Sequence, residues 1–223
     1  MMNLSKFIDH TLLKADATVK DIEEVCNLAL HYNTASVCVN PIHTKVVKEY
    51  LRGSDVKTCV VVGFPLGANK SEVKAYEAEL ALKDGAEEID MVLNIGALKD
   101  KNYDLVYNDI EGLVKVTRGK AVLKVIFETC LLEKNEIIKA CQLSLRAGAD
   151  FVKTSTGFSN GGATVEDVEL MRSIVGDEMG VKASGGVRSQ EDAIRMIEAG
   201  ANRLGASATK SIVIGTESKS AGY

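Results

Sequence analysis

Short apolar runs alternate with longer amphipathic stretches along the whole chain. Each run is rich in aliphatic and β-branched residues, which is typical of strands that are buried on both faces of a parallel sheet. Small or polar residues follow each run, and an amphipathic segment then leads to the next one. The pattern predicts eight strands, at residues 7–13, 36–40, 58–63, 88–94, 122–128, 150–155, 180–184 and 203–206.

The segments between the runs carry signals for the start and the end of helices. Thr18, Thr164 and Ser189 each precede acidic residues of a first turn, as N-cap residues do. Glycine recurs where three of these segments end, and a left-handed glycine commonly stops a helix. We therefore predict helices at residues 18–31, 70–83, 133–147, 164–174 and 189–198, and one type of helix–strand junction at residues 84–86, 147–149 and 199–201.

Eight strand–helix units in 223 residues predict a single closed (β/α)8 barrel, or TIM barrel, that spans residues 1–223. No G-x-G-x-x-G sequence follows the first run, which argues against a doubly wound dinucleotide-binding sheet. Residues 216–223 are small and polar, and we expect them to form a mobile C-terminal tail.

Two lysines lie near the ends of predicted strands, where a (β/α)8 barrel places its active site. Lys153 belongs to the sequence F-V-K-T-S-T-G and Lys182 to G-V-K-A-S-G-G. Lysine is rare inside a buried strand, and two lysines on successive strands bring like charges together. The repulsion lowers the pKa of at least one of the two amines and makes it a nucleophile toward a carbonyl carbon. The pair predicts Schiff-base chemistry.

An acid and a third lysine are expected on neighbouring strands. Asp90 is set among apolar residues, where a carboxylate requires a cationic partner. It is either part of a buried ion pair that fixes the strands or a proton carrier during imine formation, and the residues leave both roles open. Lys124 lies further from its strand end, which favours a structural partnership. Glu128, at the end of the same strand, fits either role.

Glycine-rich turns follow the last two predicted strands. Gly185 and Gly186 come after the seventh strand, and Gly205 precedes Ser207 at the end of the eighth. The loops after these two strands commonly bind phosphate in such barrels, through backbone amides at a helix N-terminus. The turn that ends in Gly157 adds hydroxyl groups nearby. These residues predict a phosphate site beside the lysines.

Composition limits the classes of partner. A net charge of −4, with interleaved charges and no Trp, argues against nucleic acid. No apolar run is long enough to cross a membrane and the N-terminus lacks a signal-peptide pattern, so we expect a cytoplasmic protein. Five scattered cysteines predict free buried thiols. The three histidines share no ligand spacing, so we expect no metal and no other cofactor.

Four motifs resemble those of the deoxyribose-phosphate aldolase family of class I aldolases. They are F-V-K-T-S-T-G at residues 151–157, V-K-A-S-G-G-V-R at 181–188, E-I-D-M-V-L-N at 88–94 and the ending K-S-A-G-Y at 219–223. The resemblance extends from Ile8 to Tyr223, which is nearly the whole chain.

The resemblance implies a role for each matching residue. Lys153 would form the Schiff base with acetaldehyde, and Lys182 would act electrostatically on that amine. Asp90 would carry protons, Asp9 would lie close to the site, and Tyr223 would assist proton transfer on the enamine.

The resemblance also implies that Gly185, Gly186 and Ser207 hold the substrate phosphate. Two positions depart from the family pattern. Phe158 stands where some relatives have a lysine that reaches the phosphate, and Ala208 replaces a second serine. Phosphate binding would then rely more on backbone amides.

We therefore expect an enzyme that reversibly cleaves 2-deoxy-D-ribose 5-phosphate to acetaldehyde and D-glyceraldehyde 3-phosphate, in deoxyribose phosphate catabolism. Its partners would be small phosphosugars and aldehydes, and a homo-oligomer is left open. Two alternatives remain. One is another lysine-dependent barrel lyase, such as a transaldolase-like enzyme with a different donor. The other is a non-catalytic phosphosugar-binding barrel whose lysines only pair with anions.

Overall fold

The computed structural model describes residues 2–215, in which eight strands alternate with helices. None of the helices in this range is long and apolar enough to cross a membrane. The strands are β1 (Ile8–Leu12), β2 (Ser36–Val39), β3 (Lys57–Val62), β4 (Glu88–Val92), β5 (Val122–Ile126), β6 (Phe151–Lys153), β7 (Gly180–Ser184) and β8 (Arg203–Ala206). The helices are α1 (Val19–Tyr32), α2 (Thr44–Tyr50), α3 (Ser71–Lys83), α4 (Ile95–Lys99), α5 (Tyr103–Thr117), α6 (Lys134–Ala147), α7 (Val165–Val175), α8 (Gln190–Glu198) and α9 (Thr209–Ile214).

The eight strands form a closed parallel barrel. Each strand pairs with the next along the chain, and β8 returns to pair with β1. In this register Asp9 lies beside Gly205, and Lys153 lies beside Lys182. Closure turns one face of every strand toward a common interior. The predicted (β/α)8 barrel and its eight strands are confirmed.

The two faces of the barrel wall differ in polarity. Aliphatic side chains such as Val60, Ile89 and Val181 pack against the surrounding helices in one large core. Side chains alternate between the two faces of a strand, so on each strand the residues next to these aliphatic positions point into the barrel. Many of these inward residues are charged and buried, namely Asp9, Glu88, Asp90, Lys124, Lys153 and Lys182. The interior therefore requires a network of ion pairs.

The helix ends follow the signals in the sequence. The side chains of Thr18, Thr164 and Ser189 each accept a hydrogen bond from the backbone amide three residues on, which confirms them as N-caps. The glycines of the three predicted junctions have positive φ angles, of 103° at Gly85, 84° at Gly148 and 111° at Gly200. Residues with side chains rarely adopt this conformation, so glycine ends the helix at each junction.

Part of the helical shell departs from the sequence interpretation. The predicted helices do not include α2, α4, α5 or α9, although α5 has 15 residues. Gly112 and several β-branched residues lower the helix propensity of α5, so the burial of Val106, Ile110 and Leu113 stabilises it instead. The expectation of five buried thiols is wrong for Cys130, which is exposed after β5; the other four are buried and all are free.

A buried ion pair joins two helices of the shell to the end of β4. The Nζ atom of Lys74, on α3, donates hydrogen bonds to Oδ2 of Asp109 on α5, at 2.6 Å, and to the carbonyl oxygen of Val92, at 2.9 Å. Both charged side chains are fully buried. The pair fixes the end of β4 two residues beyond Asp90.

Candidate active site

Asp90 is the centre of a buried cluster of charges inside the barrel. Its Oδ2 atom accepts hydrogen bonds from Nζ of Lys153, at 2.8 Å, and of Lys182, at 2.7 Å. Its Oδ1 atom accepts one from Nζ of Lys124, at 2.8 Å. Strands β4 to β7 supply these four residues, so neighbouring strands place three ammonium groups on one carboxylate.

Asp9 is a second carboxylate of the same cluster. Its Oδ2 atom forms an ion pair with Lys182, and its Oδ1 atom accepts hydrogen bonds from Arg203 and from Ser36 Oγ, both at 2.7 Å. Asp9 lies within β1, in agreement with the strand predicted at residues 7–13, and its side chain is fully buried.

The ion pairs outweigh the cost of burial at most of these groups. Burial opposes the charge of Asp9, but Lys182, Arg203 and Lys124 hold its pKa well below the usual range. Burial likewise opposes the charges of Lys124 and Lys182, but the surrounding carboxylates raise the pKa of both. Asp90 has a strongly lowered pKa because the charges of three lysines outweigh its burial. These four side chains are therefore charged at neutral pH.

Lys153 is the most exposed lysine of the cluster. It is the last residue of β6 and is paired in register with Lys182 on β7. Its side chain retains 4% exposure, while those of Lys124 and Lys182 have none. Its only carboxylate contact within residues 2–215 is with Asp90. Lys153 is thus the amine that a small molecule entering the barrel can reach.

A cavity of about 250 Å³ lies among the loops that follow β6, β7 and β8. Its lining includes Gly157, Gly185, Gly186 and Ser207 together with Arg188. The first three residues are glycines with φ between 80° and 85°. Four of the five residues predicted for a phosphate site therefore line one cavity; Gly205 lies within β8 instead and is absent from that lining.

Ser155 links the lysine cluster to the cavity. It follows Lys153 by two residues and is fully buried. A Cβ atom on Gly185 would lie 3.4 Å from Cβ of Ser155, so the two residues are in contact distance. The Oγ atom of Ser155 has no hydrogen-bond partner among the described residues.

The helix after β7 is already capped by its own side chains. Asp192 accepts hydrogen bonds from the backbone amides of Arg188 and Ser189, and Ser189 caps the first turn of α8. The backbone amides of Arg188, Ser189 and Asp192 are therefore already engaged at this helix N-terminus. The glycine-rich turns themselves are the better candidates for donors to an anion.

Three candidate residues remain to be placed. The Glu128 carboxylate accepts hydrogen bonds from the backbone amide and the hydroxyl group of Thr156, so it holds the loop after β6. Tyr223 lies outside the described residues. Lys124 contacts Asp90 and Glu88 deep in the barrel, away from its mouth, as expected of a structural partner.

The sequence interpretation missed Arg203 and Glu88. The Arg203 guanidinium binds both the Glu88 and the Asp9 carboxylates. Glu88 precedes Asp90 by two residues, and this period places both on the inner face of β4. That spacing could have identified Glu88 as an inward residue. No pattern in the sequence indicates that its partner is Arg203.

Two groups of potential metal ligands occur in the described part of the chain. Cys38, Cys59 and Asp90 form one, and Asp9, Cys59 and Glu88 form the other. Lysine and arginine side chains already bind the carboxylates of both groups. The carboxylates of both groups are thus already paired with cationic side chains.

Comparison with known proteins agrees with this arrangement. A family model described as DeoC/LacD family aldolase matches residues 4–218. The chain belongs to this aldolase family. A deoxyribose-phosphate aldolase of Clostridium novyi is 63% identical over 222 residues, with complete coverage of both chains. One of Clostridium tetani is 60% identical over 95% of this chain and 98% of that protein.

Solved structures of other aldolases share the barrel of this family member. An aldolase named QR15 has a TM-score of 0.91 at 45% identity, covering 96% of each chain. A deoxyribose phosphate aldolase from Aeropyrum pernix, described as a tetramer, has a TM-score of 0.88 at 36% identity. The match covers 95% of this chain and 89% of that one. The chain is therefore an enzyme of the aldolase class.

Proposed function

We propose that this enzyme is a class I aldolase that reversibly cleaves 2-deoxy-D-ribose 5-phosphate to acetaldehyde and D-glyceraldehyde 3-phosphate. The observation that carries the proposal is the position of Lys153. This amine retains slight exposure, contacts Asp90 at 2.8 Å and ends the strand whose following loop lines the glycine-rich cavity. The amine and the cavity match the two ends of a substrate that has an aldehyde and a phosphate.

The proposed chemistry begins with attack of the Lys153 amine on the aldehyde carbon of the open-chain sugar. Loss of water gives a protonated imine, which accepts the electron pair of the carbon–carbon bond as that bond breaks. A proton leaves the sugar hydroxyl group, D-glyceraldehyde 3-phosphate departs, and an enamine remains on the lysine. Protonation of the enamine carbon and hydrolysis of the imine then release acetaldehyde.

The neighbouring charges support distinct roles in this scheme. Asp90 accepts hydrogen bonds from the Lys153 and Lys182 amines, so it is placed to take up and return protons during imine formation. Lys182 remains charged and disfavours a second positive charge on Lys153. Asp9 holds Lys182 in position, and Tyr223 is proposed to deliver the proton to the enamine.

The phosphate group is proposed to bind in the glycine-lined cavity. Gly157, Gly185 and Gly186 expose backbone at positions where no side chain intervenes, and Ser207 adds a hydroxyl group. Arg188 lines the same cavity and brings a positive charge. Phe158 packs against Phe64 with the two rings edge to face, so it provides no charge there.

Three further properties belong to the same proposal. Free thiols support a cytoplasmic location, because a reducing compartment keeps them unpaired. The tetrameric relative from Aeropyrum pernix supports a homo-oligomer. The imine serves as the electron sink, so activity should survive treatment with EDTA. Activity that is lost with EDTA and restored by zinc would contradict the imine mechanism.

Borohydride trapping tests the central assignment. Reduction in the presence of acetaldehyde should add a two-carbon group to the peptide that carries Lys153, as read by mass spectrometry. Lys153→Ala should abolish the adduct, whereas the surface variant Lys99→Ala should retain it. An adduct on Lys182 or Lys124 alone would refute the assignment. A wild-type protein that forms no adduct would favour a non-catalytic barrel, and one trapped only with a ketose donor would favour a transaldolase-like enzyme.

A further inference from the structure

We propose that Arg203 and Glu88, below the reactive amine, are positioning residues that set the charge balance of the cluster and so determine at which pH Lys153 can act as a nucleophile. The inference rests on the proposed function, because it takes Lys153 to be the imine-forming residue. It assigns a role to two residues that lie at the opposite end of the barrel from the substrate cavity.

Both residues begin their strands, at the end of the barrel opposite to the cavity. Arg203 is the first residue of β8 and Glu88 the first of β4. The Nη1 atom of Arg203 lies 2.9 Å from Oε2 of Glu88 and 2.7 Å from Oδ1 of Asp9. Its guanidinium also lies over the ring of Phe151, 5.5 Å from the centroid. The guanidinium is therefore held by two carboxylates and one aromatic ring.

A count of charges shows an imbalance in the cluster. Four cations (Lys124, Lys153, Lys182 and Arg203) face three carboxylates (Asp9, Glu88 and Asp90). One positive charge is thus in excess when every lysine is protonated. Because ammonium groups that are buried and unbalanced are costly, one of the lysines should release its proton most readily.

The contacts identify that lysine. Lys124 has three carboxylates within 4.0 Å, while Lys182 and Arg203 have two each. Lys153 contacts Asp90 alone among the described residues. It also shares that Asp90 oxygen with Lys182. The excess charge therefore falls on Lys153, the residue that must lose a proton before it attacks a carbonyl carbon.

Four other titratable groups lie near the cluster. Cys59 donates to Asp90 Oδ1, and burial raises the pKa of its thiol. The pKa of Cys38, on β2, is lowered by the hydrogen bond from Cys59. Burial lowers the pKa of His10 to about 4, so its ring is neutral. Glu128, after β5, is engaged by Thr156. Cys38 is thus the group that the test must control.

Removing either charge should shift the balance in a defined direction. Without the Arg203 charge, three lysines face three carboxylates. The repulsion that favours loss of the Lys153 proton is then weaker. Without the Glu88 charge, the excess grows to two and release becomes easier. Arg203 lies two strands away from Lys153, on the order of 10 Å. At an effective dielectric constant of about 20, a charge at that distance shifts a titration by roughly one pH unit.

The experiment measures the rate of borohydride trapping with acetaldehyde against pH. The acidic limb of the profile should move upward by about one pH unit in Arg203→Met and downward in Glu88→Gln. Arg203→Lys retains the charge and should keep the wild-type limb. The double variant Arg203→Met/Glu88→Gln restores the charge balance and should return toward it. A residue with a merely structural role would lower the rate without moving the limb in opposite directions.

Several outcomes would overturn the inference. The inference is wrong if the acidic limb of the trapping profile stays at the wild-type pH in both single variants. It is also wrong if the limb moves in the same direction in both. The same shifts should persist in the Cys38→Ser background, and their loss there would assign the effect to the thiol. If Arg203→Met fails to fold, Glu88→Gln still decides the sign. Failure of the proposed function is distinguishable, because the wild-type protein would then form no adduct on Lys153 at any pH.

Discussion

Replacement of Gly162 by alanine should weaken recognition of the substrate phosphate and leave the chemistry at Lys153 intact. Gly162 lies in the loop after β6 and packs against the loop after β7. The backbone amide of the next residue, Ala163, donates hydrogen bonds to the carbonyl oxygens of Ser184 and Gly185, at 3.1 and 2.9 Å. These contacts hold together the two loops that line the cavity.

The magnitude follows from the close approach of the two loops. A Cβ atom on Gly162 would lie only 2.3 Å from the carbonyl oxygen of Gly185. Ordinary contact requires about 3.5 Å, so the loops must separate by about 1 Å. A shift of that size removes a hydrogen bond from a backbone amide to the phosphate. A hydrogen bond to a charged group contributes about 1.5–3 kcal/mol, which corresponds to a loss of roughly 10- to 150-fold in kcat/KM.

The assay compares two substrates that differ only in the phosphate. Cleavage of 2-deoxy-D-ribose 5-phosphate should lose this factor in kcat/KM, mainly through KM, while cleavage of 2-deoxy-D-ribose should change by less than about twofold. Gly112→Ala, within α5, is the matched control, because its Cβ atom would have no neighbour within 4 Å. An equal loss for both substrates would mean that the loop supports the lysine cluster, and no loss for either would refute the phosphate assignment.

Three further results are expected. Lys74→Met should lower the free energy of unfolding by about 3–5 kcal/mol in urea, because it leaves the Asp109 carboxylate buried without its partner; the exposed variant Lys20→Met should cost far less, and an equal cost would contradict the argument. His10 has a folded pKa of about 4 because of burial, so the unfolded state binds its proton first as the pH falls below about 6.5. The wild-type protein should therefore lose on the order of 2 kcal/mol between pH 7 and pH 5, and His10→Gln should lack this part of the pH dependence. Tyr223→Phe should keep the melting temperature and the borohydride adduct but slow proton exchange at the methyl group of acetaldehyde by about tenfold or more; exchange at the wild-type rate would remove Tyr223 from the mechanism.

Local patterns account for the parts of the fold that the sequence predicts well. The eight strands are buried on both faces, so each one appears as an apolar run whatever its neighbours are. Each of the three predicted helix–strand junctions has a glycine with positive φ, and that preference acts within a few residues of the chain. By contrast, α5 depends on burial of one face against the barrel, and its local propensity gives little sign of it.

The candidate site divides in the same way. Lys153, Lys182 and Asp90 could be identified because a charged residue inside an apolar run is unusual in any parallel strand. Lys74 could not, because it lies in the polar-looking helix S-E-V-K-A-Y-E, where a lysine is ordinary. Its burial results from the packing of α3 against α5 and the end of β4, which no single segment encodes.

The sequence by itself therefore determined the barrel and revealed the two buried lysines on β6 and β7, because both depend on residue types and spacings within single segments. Only the tertiary structure decided which charges balance one another. Arg203 contacts Glu88, 115 residues earlier in the chain, and Lys182 contacts Asp90 across 92 residues. Those pairs arise from closure of the barrel and from its strand register, which bring distant strands within the few ångströms over which buried charges interact strongly.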